Sequence, residues 1–196
     1  MRTTVLRDPA YRLLLTGSVV AGLGSWLLLV AVPVYVYQLT GSATATGLAV
    51  AVEATPGLLI GPWAGVLLDR VRLTRALWLA QLACAAAVSL LLLVDDASDV
   101  WLIYLAVFGE NVAATVQRPA VRALVPAVVG TGQRELAAAN SLDSLAGSLL
   151  RLGAPPLGAL LLAGPGIGAV LAIDIAGYLL SALLFAVLGR RTASPA

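Results

Sequence analysis

Eleven of the twelve arginines fall into four short stretches, separated by hydrophobic runs long enough to cross a bilayer. The stretches are Arg2/Arg7/Arg12, Arg70/Arg72/Arg75, Arg118/Arg122/Arg134 and Arg190/Arg191. The one acidic connection, Asp95, Asp96 and Asp99, lies between the second and third. Basic residues concentrated in alternate loops mark the cytoplasmic side of a polytopic membrane protein. The pattern therefore predicts six crossings with both termini inside, in the cell membrane.

The composition agrees. Hydrophobic residues make up 60% of the chain and charged residues 11%, against roughly 45–50% and about 25% in soluble domains. A chain so apolar needs lipid as its solvent. The net charge of +2 is accounted for by the loop bias and does not suggest nucleic acid as a partner. With a single cysteine, Cys84, and no histidine, the sequence offers neither an internal disulfide nor the usual metal and general-base sets. No Gly-x-Ser-x-Gly, phosphate-binding loop or metal-spaced carboxylate set is present, so an enzyme, an ATP-driven pump, a catalytic residue, a cofactor and a metal are not expected.

A helix needs about 20 mainly apolar residues to span the hydrocarbon core. The runs are approximately 13–38, 45–68, 76–94, 100–117, 136–162 and 167–188, flanked by tails at 1–12 and 189–196. The expected connections are a tight turn at Gly41-Ser42, a short inner loop Asp69–Arg75, an acidic outer loop, a longer inner loop Pro119–Glu135 and a hairpin at Gly164-Pro165-Gly166. Gly61–Leu68 and Ala154–Leu161 coincide at four of eight positions, offset by 93 residues. Because the second run travels inward and the fifth outward, the echo implies an all-α fold of two inverted three-helix repeats, a transporter architecture.

Three groups of residues stand out. Glu53, Gly57, Gly61, Gly65 and Asp69 recur every four positions and form one helical stripe. The stripe suits either packing within this bundle or a face for another helical body. Arg151 is the one arginine inside a run and shares a polar stripe with Asn140, Ser144, Ser148 and Gly158. A charge at that depth needs a carboxylate or a water-filled cavity. Glu110, Glu53 and Asp174 are the candidates, with Glu110 favoured because Gly109 and Asn111 mark a polar break. The pair would serve either as a structural ion pair or in substrate or proton handling. Asp174 is placed nearer the outer face, as a structural residue. Pro155 and Pro156 remove backbone donors and predict a bend in helix five.

The stretch Gly65-x-x-x-Asp69-Arg70-x-Arg72-x-x-Arg75 resembles the signature loop of the major facilitator superfamily. The resemblance implies charged contacts of Asp69, Arg70 and Arg75 that hold the cytoplasmic side closed, with Gly65 beside them. Residues 6–12, 39–42, 118–126 and 136–142 resemble the branch of that family containing siderophore and drug exporters. Gly153-Ala154-Pro155-Pro156-Leu157-Gly158 is similar to the helix-five motif of its antiporters. The run-four arginine of proton-coupled drug exporters has no counterpart here, so the resemblance does not support proton coupling. The resemblance covers six of the family's twelve helices. It implies export of a small, possibly amphipathic molecule by alternating access driven by an ion gradient, with helices one, two, four and five lining the cavity. The partners implied are membrane lipid, the substrate and a second six-helix half from another copy or chain. The alternatives are a membrane scaffold that transports nothing and an inactive gene fragment.

Overall fold

The computed structural model describes residues 4–68 and 71–193. Helix α1 (Pro9–Thr40) is followed by α2 (Ala43–Leu59), α3 (Gly61–Leu68), α4 (Leu73–Ser89), α5 (Val100–Ala114), α6 (Gln117–Val129), α7 (Gln133–Ala163) and α8 (Ile167–Ala193). Short 3-10 turns cover Thr4–Arg7, Leu90–Leu93 and Ala97–Asp99. No strand occurs among the described residues. Six stretches are long and apolar enough to cross a membrane: Pro9–Thr40, Ala43–Trp63, Leu73–Leu93, Ala97–Val129, Gln133–Ala163 and Ile167–Arg191. The fold is therefore the all-α, six-span bundle expected from the arginine pattern.

Local chemistry explains the helix ends. Asp8 caps α1 by accepting from the amides of Ala10 (2.7 Å) and Tyr11 (3.3 Å), and Pro9 occupies the first helical position, where a missing N–H is harmless. Gly41 ends α1 at φ 63°, a left-handed cap that favours glycine. Gly166, at φ 90°, serves the turn before α8.

The second span is divided at Ile60, just ahead of Pro62. One expected loop and the expected C-terminal tail are helical in part. The inner loop Pro119–Glu135 contains most of α6, because Pro119 falls in the first turn, where proline is tolerated. Ala120, Leu124 and Val125 give α6 a buried face, while Arg118 and Arg122 remain exposed. The expected tail Arg190–Ala196 is helical through Ala193. The helix-five prolines lie within a helix assigned without interruption from Gln133 to Ala163.

Helix α1 is the central element and packs most extensively against α8, then α7. Buried side chains form two clusters. One, around Tyr11, Leu77, Leu124 and Phe185, lies at the arginine-rich end; the other, around Val36, Val88, Ile103 and Leu171, fills the rest of the bundle. Helices approach closely where glycine removes the side chain: a Cβ on Gly177 would lie 3.2 Å from the Val20 carbonyl oxygen. Two cross-helix hydrogen bonds pin α1: Tyr11 donates to the Ala139 carbonyl (3.0 Å), and Ser181 donates to the Gly17 carbonyl (2.8 Å).

In the acidic loop, Asp96 accepts from the Ser98 hydroxyl (2.6 Å) and the Ser98 amide (2.7 Å), while the Asp99 side chain accepts from the Asp96 amide. These bonds, the Ser98 hydroxyl first, hold the Asp96 carboxyl below its ordinary value. A lowered folded-state pKa contributes stability above the unfolded value of about 3.9 and loses it as pH falls through the folded value. Protection of the Ser98 amide from exchange should therefore persist at neutral pH and disappear on acidification below that range. Asp96→Ala should remove it at every pH.

Candidate functional site

Arg151 does not meet Glu110. Its side chain is exposed on α7, with the guanidinium 5.4 Å from the centroid of the Trp26 ring on α1, and it has no carboxylate partner among the described residues. A cation over an indole face is a favourable contact worth about 0.5–2 kcal/mol, depending on desolvation. Between the same two helices, an open apolar cavity of about 260 Å³ is lined by Leu23 of α1 and Leu149, Leu150, Gly153 and Leu157 of α7.

Glu110 instead lies in a closed polar knot formed by α1, α4, α5 and α8. Tyr178 donates its hydroxyl proton to Glu110 Oε1 at 2.5 Å. The Ser25 hydroxyl lies 2.8 Å from the Tyr178 oxygen. With the tyrosine's single proton directed at Glu110, Ser25 is the donor in that contact. The Cys84 thiol donates to the Glu110 backbone carbonyl (3.5 Å). Glu110 is 6% exposed.

Asp174 belongs to the same region and is 1% exposed, with no hydrogen-bond partner for either oxygen. Its carboxyl occupies the space that a Cβ on Gly24 would fill. Gly24 lies midway along α1, and Asp174 lies in the first third of α8. Gln81 of α4, three residues before Cys84, is also fully buried with both amide atoms unpartnered.

The remaining expected residues divide between the two faces. Asn111 donates to the Val107 carbonyl one turn back (3.0 Å), and α5 runs unbroken through Gly109, Glu110 and Asn111. Glu53 on α2 is half-buried and acts electrostatically on Glu110. Gly57, Gly61 and Gly65 pack against nothing: a Cβ at each would meet no atom within 4 Å among the described residues. Gly158, placed in a bend motif, is buried where α7 crosses the Leu27 backbone of α1. Pro155 is half-buried and Pro156 exposed. Arg75 is exposed in the first turn of α4; Asp69 and Arg70 lie outside the described residues.

Sequence reasoning missed Ser25, Trp26, Gln81 and Tyr178. Tyr178 had a signal, since it follows Asp174 by four residues and shares its helix face. Trp26 had none, because its contact with Arg151 depends on how α1 and α7 cross.

The family model for the Major Facilitator Superfamily matches residues 14–196. The chain belongs to that superfamily. Macrolide efflux protein A of Streptococcus pyogenes is 30% identical over 173 residues, 87% of this chain and 42% of the relative. A protein of the same name from Streptococcus pyogenes serotype M6 (strain ATCC BAA-946 / MGAS10394) matches to the same extent. The chain thus spans 42% of the length of these curated relatives. In a major facilitator chain of this length, the six spans form one half-fold and establish a multi-pass membrane protein.

Proposed function

We propose that this chain is the six-helix half of a major facilitator exporter that moves a small apolar or amphipathic solute across the cell membrane by alternating access, driven by an ion gradient. Both termini and the arginine-rich loops are assigned to the cytoplasmic side by their basic excess. The observation that carries the reading is Arg151: an exposed arginine midway along a membrane helix, over the Trp26 ring and without a carboxylate partner among the described residues. Such a charge does not face lipid without a large penalty. It belongs to a wet gap between two halves. The open Gly57/Gly61/Gly65 stripe, which leaves room for a close-packed neighbour, supports the same reading. The relatives named for macrolide efflux support export as the direction.

The test is flux of an amphipathic dye in vesicles containing the chain, under an imposed ion gradient. Arg151→Ala should lower flux by up to about tenfold, since about 1.4 kcal/mol is tenfold in rate and the cation–π contact it removes is worth about 0.5–2 kcal/mol. Asp69→Asn should slow cycling without preventing insertion, because its loop lies between spans. Unchanged flux in both variants would remove the site assignments. No flux under any gradient would favour the scaffold or fragment.

A further inference from the structure

At the arginine-rich end, α6 lies beside the junction of α3 and α4 and leaves an open groove of about 360 Å³. Gly65 and Leu68 of α3, Val71 and Leu73 at the entry to α4, and Pro119 and Ala123 of α6 line it. A Cβ on Gly65 would meet no atom within 4 Å among the described residues, so that wall is not filled from within the bundle. Ala120, Leu124 and Val125 are buried and hold α6 in place.

Arginines interleave with the lining. Arg72 stands between Val71 and Leu73, Arg118 precedes Pro119, and Arg122 precedes Ala123. All three are exposed, and none has an ion-pair partner among the described residues. Other carboxylates of this end are placed elsewhere: Asp8 caps α1, Glu135 lies against Gly132, and Asp143 acts electrostatically on Tyr11. Arg118 and Arg122 are one helical turn apart, close enough to share a ligand.

An apolar helix laid in the groove would bring no counter-charge for three guanidinium groups. An anionic phospholipid supplies both halves of what the groove asks for. Its phosphate oxygens accept paired hydrogen bonds from guanidinium, and its glycerol and first acyl carbons suit an apolar lining. The level also fits, because the basic excess assigns this end to the cytoplasmic leaflet, where basic pockets between membrane helices hold anionic headgroups.

We propose that the groove between α3, α4 and α6 is a binding site for an anionic phospholipid of the inner leaflet. Arg118 and Arg122 of α6, with Arg72, hold the phosphate, and Leu68, Leu73 and Ala123 receive the glycerol and upper acyl carbons. The bound lipid ties α6 to the turn between α3 and α4, joining the inner end of the second span to that of the fourth. The inference stands apart from the transport reading and needs only the orientation of the chain in the membrane.

The experiment is native mass spectrometry of the chain released into detergent from vesicles of equal phosphatidylglycerol and phosphatidylethanolamine. The wild-type chain should keep one phosphatidylglycerol, with phosphatidylethanolamine retained at least about tenfold less. Arg118→Ala combined with Arg122→Ala should lower that occupancy by about tenfold or more. Arg190→Ala combined with Arg191→Ala removes the same charge outside the groove and should leave occupancy unchanged. Ala123→Trp keeps every arginine but fills the groove, and should also displace the lipid. Equal retention of the two lipids by the wild type would overturn the proposal. So would equal losses in the two arginine pairs, which mark diffuse attraction, or full retention in Ala123→Trp. Release as a dimer carrying no phosphatidylglycerol would give the groove to a second copy and would overturn it too. The wild-type comparison uses no variant, so misfolding of any of them leaves a decisive reading.

Discussion

Gly158→Ala should loosen the junction between α1 and α7 enough to lower thermal stability in nanodiscs, and Gly158→Val should prevent a stable bundle from forming. An added Cβ would lie 2.6 Å from the Leu27 carbonyl oxygen and 3.1 Å from the Leu27 Cα. Both are backbone atoms, so no rotamer change relieves the overlap and the helices must separate. Overpacking of this kind costs about 1–3 kcal/mol for one methyl group, against a total stability of about 5–15 kcal/mol in typical folds. Gly17→Ala is a useful contrast, because its nearest obstacle is the Phe185 ring edge at 2.7 Å, which can turn. Gly57→Ala and Gly61→Ala should leave the isolated chain as stable as before, or slightly more so through helix propensity of up to about 1 kcal/mol. Equal melting temperatures for Gly158→Ala and Gly57→Ala would show that the α1–α7 crossing is not as close as described.

The same contrast shows where the sequence was readable. Spacing identified Gly57, Gly61 and Gly65 as one face and Gly158 as part of another, but only the fold distinguishes the empty face from the occupied one. The number of spans was legible because lipid allows few alternatives: a run either crosses or it does not. The α6 segment was misread because its prolines and arginines look like a loop, whereas Pro119 sits in a first turn and the arginines lie on the exposed side. Depth along a helix could be counted, but azimuth could not. Arg151 and Glu110 were matched by depth alone. In the fold Glu110 faces Tyr178 of α8, while Arg151 lies against Trp26 of α1. The stacking partner of an arginine can replace its expected carboxylate, and nothing in a linear sequence distinguishes the two.

Tyr178→Phe should be the costliest change within the polar knot, and Glu110→Leu on the same background should recover most of the loss. The substitution keeps the ring, so packing around a residue that is 1% exposed is preserved and only the hydroxyl is lost. Glu110 Oε1 then loses its Tyr178 donor, and Ser25 loses its contact with the tyrosine oxygen, keeping the weaker 3.3 Å contact to the Ala21 carbonyl. Hydrogen bonds between membrane helices average about 0.6 kcal/mol, because the separated helices find other partners. A buried carboxyl stripped of its donor lies above that average, at about 1–3 kcal/mol. Replacing both partners by apolar groups leaves no orphan, so the double variant should be more stable than the sum of the single losses implies. Thermal unfolding of wild type, both single variants and the double variant gives the coupling directly. Strict additivity would mean that the Tyr178–Glu110 contact contributes nothing, and the chain of hydroxyls linking α1 to α8 would lose its energetic basis.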